Sequence, residues 1–255
     1  MRVVFLGTGT SHGVPMIGCD CEVCRSTDTR DKRTRPSIYL ELDDDGRVLV
    51  DTTPDLRTQA LRHDLRRLDA IFFTHAHADH VMGLDDVRRF NVISGAPIPV
   101  YGNERTLADL RRTFAYVFDP GTGKGGGLPE LRLWPIAGPF CFGRQEVIPV
   151  PIQHGTRTIL GFRIGRFAYL TDCSGIPEAS LAQLGGLHTL VLDALRRRPH
   201  PTHFTLEQAV TMARRIGAGQ TYFTHIAHDL AHAETCAALP AGMALAYDGL
   251  SLMVD

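Results

Sequence analysis

The chain has 255 residues, of which 44% are hydrophobic and 22% are charged, and its formal net charge is −1. This balance is typical of a globular protein with a sizeable core, and it argues against binding to nucleic acid through overall positive charge. No apolar stretch approaches the roughly 18 residues of a membrane span and no secretory signal is visible, so we expect a cytoplasmic protein without a membrane partner.

The first half of the chain contains apolar runs bounded by turn signals, and stretches of helical spacing between them. Residues 3–8 form a short apolar run that reaches glycine, which predicts a buried strand. The Asp45-Gly46 pair favours the positive φ of a tight turn and predicts a hairpin. Together these patterns predict strands at 3–8, 37–42, 47–51, 70–74 and 97–102, and helices at 56–65, 83–93 and 104–118.

The second half groups its predicted strands more closely, with helices between some of them. Residues 119–127 contain a G-x-G-x-x-G pattern at Gly121, Gly123 and Gly126, but no strand precedes it, so we expect a mobile loop and no nucleotide site. Strands are predicted at 131–136, 145–152, 159–165, 166–171, 189–193 and 220–225, and helices at 177–184 and 205–216. This order predicts an α/β protein with two sheets, each covered by helices, in a single domain over residues 1–255.

Four potential metal ligands directly follow the predicted strand at 70–74. They are His75, His77, Asp79 and His80 in the stretch "THAHADH". Alternate residues of an extended segment point the same way, so His75 and His77 can reach one metal ion. As the chain turns, Asp79 and His80 can face a second ion. Imidazole and carboxylate suit zinc, manganese or iron, and the density of these side chains argues against a merely polar turn.

Further candidate ligands lie at the ends of other predicted strands. His154, Asp172 and His225 each come directly after an apolar run, and Asp51 ends the strand at 47–51. The ends of neighbouring strands converge in space, so side chains there can assemble one site. The pattern therefore predicts a two-metal centre built from several strand ends. Asp51 could instead be an ordinary residue of a strand-end turn.

The H-x-H-x-D-H signature at 75–80, with these later residues in order, resembles the metallo-β-lactamase superfamily. The resemblance implies a four-layer αββα sandwich with two catalytic divalent ions, Mn²⁺ or Zn²⁺, at one edge of the sheets. It implies that Asp172 bridges the ions and that Asp51 orients a ligand or the bridging hydroxide. It assigns one ion to His75, His77 and His154, and the other to Asp79, His80 and His225.

Three cysteines lie within six residues of one another near the start of the chain. Cys19, Cys21 and Cys24 have metal-ligand spacing, and zinc in structural sites commonly takes three cysteines and one histidine. His228 follows His225 by three residues and is left over from the catalytic set, so we predict that it completes a structural zinc site. A redox or exposed thiol cluster is the alternative. The remaining cysteines are isolated and are predicted to be small core residues.

The cysteine cluster combined with H-x-H-x-D-H is similar to the PhnP group of phosphodiesterases. That resemblance implies hydrolysis of a small phosphodiester, with a ribose 1,2-cyclic phosphate 5-phosphate as the first substrate to test, and it suggests a homodimer. His203 matches a candidate general acid that also touches phosphate, although a loop histidine is the alternative. The arginines at 196–198 could assist phosphate binding or form a solvated face.

Three other functions share parts of these motifs. Nucleases that process the 3′ end of tRNA carry a long substrate-binding arm, for which this chain has no insertion, so a nucleic-acid partner is not expected. Thioesterases of the glyoxalase II branch share H-x-H-x-D-H but generally lack the cysteine cluster. The PqqB group of non-hydrolytic accessory proteins shares the cysteine cluster but tends to have an eroded catalytic signature, whereas all seven expected ligands are present here.

Overall fold

The computed structural model describes residues 1–119, 121 and 127–254, so two glycines of the G-x-G-x-x-G pattern, 123 and 126, lie outside the described residues. The strands are β1 (Arg2–Gly7), β2 (Ser37–Glu41), β3 (Arg47–Val50), β4 (Ala70–Phe72), β5 (Ile98–Gly102), β6 (Leu131–Pro135), β7 (Phe140–Phe142), β8 (Gln145–His154), β9 (Arg157–Ile164), β10 (Phe167–Leu170), β11 (Thr189–Asp193), β12 (Gln220–Thr224), β13 (Met243–Leu245) and β14 (Ser251–Met253). Within the described residues they form two mixed sheets of seven strands, in the orders β14-β1-β2-β3-β4-β5-β6 and β13-β12-β11-β10-β9-β8-β7.

Helices cover the outer faces of both sheets. The helices of the described residues are α1 (Glu22–Arg25), α2 (Leu56–Arg62), α3 (Ala78–Val81), α4 (Arg88–Ser94), α5 (Glu104–Thr113), α6 (Ala115–Phe118), α7 (Glu178–Leu181), α8 (Leu206–Ile216) and α9 (His232–Ala238). The helices α2, α4 and α5 contribute to the core outside the first sheet, and α8 contributes to the core outside the second. A third core lies between the sheets. The predicted αββα sandwich is confirmed.

The strand β1 illustrates why the central strands are apolar on both faces. Val3 and Phe5 belong to the core between the sheets, whereas Val4 and Leu6 belong to the core under the helices of the first sheet. Successive side chains of a strand point to opposite faces, so a strand that is covered on both sides needs a continuous apolar run. The same alternation places Val191 of β11 between the sheets and its neighbours Leu190 and Leu192 under α8.

Several predicted boundaries differ from the structure. The helix predicted at 56–65 ends at Arg62, the one at 83–93 is divided into a 3₁₀ turn and α4, and the one at 104–118 is interrupted at Phe114. The short strand β7 and the helix α3 were not predicted. Short elements carry too few periods of hydrophobic spacing to be recognised, and α3 overlaps the ligand-rich turn, since it contains Asp79 and His80.

The strands direct the predicted ligands to one edge of the sandwich. In the second sheet β10, β11 and β12 are parallel, and β8 runs in the same direction because both β8 and β10 are antiparallel to β9. Within two residues of the ends of their strands, Asp51, Asp172 and His225 adopt left-handed φ values of 65°, 56° and 61°. Such backbone conformations cost about 1–3 kcal/mol each and cluster at functional sites. Among the described residues, no helix has the length and apolar character needed to cross a membrane.

Candidate metal centres

The turn after β4 presents four side chains to the edge of the sheets. His75 lies three residues beyond the end of β4, and His77 is extended, with φ −70° and ψ 154°, as the residue that precedes α3. The single turn of α3 then brings Asp79 and His80 round to the same region. His80 is completely buried and His75 is 5% exposed, so these polar rings lie inside the protein.

Two groups of ligand atoms converge at this edge. Within each group, all the ligand atoms lie within 4.8 Å of one another. We call them the first and the second metal cluster. The shared member of both clusters is Asp172. The first cluster contains His75, His77, His154 and Asp172, and the second contains Asp79, His80, Asp172 and His225.

The carboxylate of Asp172 faces both clusters. Its Oδ1 lies 3.1 Å from Nε2 of His80 and 3.3 Å from Nε2 of His225, whereas its Oδ2 lies 3.8 Å from Nε2 of His75. Burial by itself raises the pKa of Asp172, but His225 and His80 outweigh burial and hold that pKa well below its usual value. The side chain is therefore an ionised carboxylate with one oxygen directed to each cluster.

Polar groups behind the histidine rings fix their orientation. Nδ1 of His80 lies 2.7 Å from Oδ2 of Asp51, and Nδ1 of His154 lies 2.9 Å from the carbonyl oxygen of Thr202. Asp51 is itself held by Thr74, whose backbone N–H and hydroxyl both donate to the carboxylate, at 2.9 and 2.8 Å. With Nδ1 engaged on the outer side, each ring presents Nε2 to its cluster. Metal-binding histidines are commonly held in this way, by a carboxylate or carbonyl oxygen that contacts the other ring nitrogen.

The inner nitrogens fit metal ions. Among the described residues, Nε2 of His75, His80 and His225 are buried and have no hydrogen-bond partner. Burial lowers the pKa of His75, which favours the neutral ring that binds metal. Burial also lowers the pKa of His80, but Asp172 and Asp79 outweigh it and raise that pKa well above its usual value. The carboxylates therefore favour a cation at this position.

The cysteines form a third cluster with His228. The Sγ atoms of Cys19, Cys21 and Cys24 lie 3.2, 3.3 and 3.6 Å from Nδ1 of His228. Sulfur and nitrogen ligands of a tetrahedral zinc ion are separated by about 3.6 Å, given bonds of ~2.3 and ~2.1 Å. The backbone N–H of Cys24 lowers the pKa of Cys21 to about 7, which favours the thiolate that binds metal. The donor set and its spacing fit zinc.

His203 lies against the metal clusters without belonging to either predicted ligand set. Its ring centroid is 4.6 Å from that of His225 and 4.9 Å from that of His154. Its Nδ1 lies 3.1 Å from Oδ1 of Asp193, a buried carboxylate that also accepts a hydrogen bond from the backbone N–H of Phe204. His203 is thus oriented with Nε2 free of Asp193.

Two charged residues near the clusters were missed by sequence reasoning. Asp193 ends β11 just as Asp51 follows β3, so its place at a strand end was an available signal. Arg157 begins β9, and its Nη1 lies 3.4 Å from Nε2 of His77. Its sequence neighbourhood carries no motif, and only the pairing of β8 with β9 brings it to the first cluster.

Comparisons with known proteins agree with this architecture. A family model described as "Beta-lactamase superfamily domain" matches residues 46–226. A crystal structure of a new diphosphatase from the PhnP family is 48% identical, with a TM-score of 0.93, and the match covers 100% of this chain and 98% of that one. Zn²⁺-bound PqqB from Methylobacterium extorquens has a TM-score of 0.78 at 22% identity, with full coverage of both chains, which indicates a shared fold.

A curated relative is longer than this chain. The octanoyltransferase of Porphyromonas gingivalis is 39% identical over 263 residues, which cover 100% of this chain but 52% of that protein. The chain therefore spans about half the length of this relative. The family model over most of the chain, together with the 48% identity to a PhnP-family enzyme, shows that this chain belongs to the metallo-β-lactamase superfamily, and within it to the PhnP family.

Proposed function

We propose that this chain is a dinuclear metal-dependent phosphodiesterase that hydrolyses a small phosphodiester. The observation that carries the proposal is the pair of metal clusters that share Asp172, with His203 against one ring of each. The two clusters would hold Mn²⁺ or Zn²⁺, since imidazole and carboxylate suit both ions. The cysteine cluster with His228 would hold a structural zinc ion.

The protein groups of the site have separable tasks. Two divalent ions, when bound, polarise a phosphoryl oxygen and lower the pKa of a water molecule. Asp172 holds the two clusters at a fixed separation, and Asp51 keeps His80 in one orientation through the 2.7 Å contact to Nδ1. Arg157 lies beside the first cluster and can neutralise part of the charge of a bound phosphate, because its guanidinium is a donor to anionic oxygens.

His203 is placed to give a proton to the leaving oxygen. Asp193 engages Nδ1, so Nε2 remains for the substrate. Burial, followed by the charge of His225, lowers the pKa of His203 to about 3, so the ring is neutral in the free protein. An anionic phosphate beside the ring favours the imidazolium and raises that pKa. In this proposal the substrate itself brings His203 into the protonated form.

The related PhnP-family diphosphatase supports a second candidate substrate. A diphosphate differs from a phosphodiester in its leaving group, which is a phosphate oxygen rather than an alkoxide, while the attack of water on phosphorus is the same. A phosphate leaving group needs less protonation than an alkoxide. The dependence of the hydrolysis rate on His203 therefore distinguishes the two substrate classes. It should be strong for an alkoxide leaving group and weak for a phosphate leaving group.

The experiment is a substrate screen with the purified, metal-loaded protein. The panel contains bis(p-nitrophenyl) phosphate, p-nitrophenyl phosphate, a cyclic nucleotide, a nucleoside diphosphate and an octanoyl thioester, the last because one relative is named an octanoyltransferase. We expect the diesters to be hydrolysed faster than the monoester and the thioester. Elemental analysis of the same sample counts the ions. Thioester hydrolysis without diester hydrolysis would contradict the proposal.

A further inference from the structure

A groove of about 390 Å³ is lined by residues of both α2 and α4, the helices that cover the first sheet. This volume falls within the roughly 300–1,000 Å³ that is typical of pockets for small molecules. None of the seven predicted ligands of the two metal clusters is among its described lining residues. The groove is therefore separate from the candidate active site.

Apolar side chains form much of the groove. Leu56 and Phe90 are 1% and 7% exposed and belong to the core outside the first sheet, so they provide a fixed floor. Leu61 of α2 and Ile93 of α4 line the same groove but are 66% and 49% exposed. Large apolar side chains that are exposed together mark a surface that binds another molecule. The groove therefore favours a ligand with a hydrocarbon portion.

Arginines surround this apolar surface. Four of the described lining residues are arginines and two are aspartates. Two of these arginines are paired with carboxylates. Nη2 of Arg66 lies 2.5 Å from Oδ1 of Asp64. Nη1 of Arg88 lies 2.5 Å from Oδ2 of Asp85. Both pairs are largely neutralised and contribute little attraction for a further charged group.

The two other arginines of the groove, Arg57 and Arg89, are uncompensated. Within residues 1–119, 121 and 127–254, neither guanidinium has a carboxylate oxygen within 4 Å, and Asp86 has no basic nitrogen within 4 Å. The unpaired charges among the described lining residues are thus two cations and one anion. A rim with an excess of positive charge attracts a negatively charged ligand.

The size of the groove favours a small molecule over a protein partner. A specific protein interface of standard size involves about 20–30 residues on each side, whereas a dozen described residues line this groove. At about 30 Å³ for each water in the liquid, the groove holds the equivalent of about 13 waters. An alkyl chain with a carboxylate at one end fits this space, because each methylene group is of about the size of a water molecule.

We propose that this groove binds a medium-chain fatty carboxylate, with the alkyl chain against Leu61 and Ile93 and the carboxylate beside Arg57 and Arg89. Burial of the alkyl chain provides the driving force, and charge-assisted hydrogen bonds to the guanidinium groups select an anion. The negative charge of Asp86 opposes binding. The inference does not depend on the phosphodiesterase proposal, because the groove shares no described lining residue with the two metal clusters.

The first test varies the ligand. Sodium hexanoate, octanoate and decanoate are titrated calorimetrically into the metal-loaded protein, below the concentrations at which they form micelles. A fully buried methylene contributes ~0.8 kcal/mol, or about 4-fold in Kd, so octanoate should bind about 3- to 15-fold more tightly than hexanoate. Octylammonium, which has the same chain and the opposite charge, should bind more weakly than octanoate. A Kd that is independent of chain length, or equal for octanoate and octylammonium, refutes the inference.

The second test varies the charged residues of the groove. Arg57→Gln and Arg89→Gln should each weaken octanoate binding by about 2- to 5-fold, the range of an exposed ion pair, and Asp86→Asn should strengthen it by a similar factor. Arg111→Gln is the matched control, since Arg111 is an exposed arginine of α5 outside the described lining of the groove, and it should leave Kd unchanged. Equal Kd values for all variants would place the carboxylate elsewhere, for example on the catalytic metal ions, and would overturn the inference.

A third test examines the apolar surface and its alternative occupant, a second copy of the chain. Leu61→Asp changes a side chain that is 66% exposed, so the fold should persist, as circular dichroism can verify. It should weaken octanoate binding by about 10-fold, because it replaces an apolar contact by a like charge. Light scattering measures the number of chains per particle in both proteins. An equal number supports an open groove, whereas a wild-type dimer that Leu61→Asp converts into a monomer would show that a second copy covers it and would overturn the inference.

Discussion

A buried ion pair joins the cysteine-bearing loop to the segment that carries His225 and His228. Arg33 is 2% exposed and Asp31 is 3% exposed, and Nη2 of Arg33 lies 3.0 Å from Oδ1 of Asp31. The same guanidinium donates to the carbonyl oxygens of Ala227, at 3.3 Å, and Leu230, at 2.8 Å. These two carbonyls flank His228, so the arginine positions the histidine of the cysteine cluster.

Replacing Arg33 by Met removes the charge while keeping an apolar side chain of similar length. The variant leaves a buried carboxylate with the backbone N–H of His232 as its remaining described donor, and it leaves two carbonyl oxygens without this donor. Loss of one partner of a buried pair costs about 3–5 kcal/mol, and each orphaned acceptor about 1–3 kcal/mol, partly offset by local rearrangement. We expect the free energy of unfolding to fall by about 3–5 kcal/mol.

Urea denaturation at a fixed metal concentration measures this change, and elemental analysis of the folded protein measures zinc. Arg197→Met is the matched control, since that exposed side chain should change the free energy of unfolding by less than about 0.5 kcal/mol. Adding Asp31→Asn to Arg33→Met should recover part of the loss, because it removes the stranded charge. A loss below about 1 kcal/mol with unchanged zinc would refute the positioning role of Arg33.

Three further variants test the assignment of the metal centres. Cys21→Ser should lower the metal content by about one ion per chain and reduce the free energy of unfolding. Cys141→Ser, at an exposed cysteine, should change neither quantity. Equal zinc content in the two variants would exclude the structural site. His203→Ala should keep the catalytic ions and lose about 10²–10⁴-fold in rate with an alkoxide leaving group, but much less with p-nitrophenolate; equal losses would show that His203 is not the acid. Asp172→Ala should lose catalytic metal and activity on every substrate, and metal retention would contradict its bridging role.

Much of the fold follows from local patterns in this chain. The strands β1, β4, β10 and β11 are continuous apolar runs because each is covered by the opposite sheet on one face and by helices on the other. The ligand-rich turn at 75–80 is equally local, since six consecutive residues bring four donors close together. The division of the helix at 104–118 was not predictable in this way, because the apolar spacing continues past the interruption at Phe114.

The sequence by itself determined the layers of the sandwich and marked the side chains that we propose as metal ligands, because hydrophobic period and donor spacing are properties of short segments. Only the tertiary structure decided which residues surround those side chains. Asp193 comes to His203, Arg157 comes to His77 and Arg33 comes to the carbonyls beside His228 through strand pairing and loop packing across up to 197 positions of the chain. Such contacts leave no periodic trace in the sequence, since each depends on how separate strands and loops pack against one another.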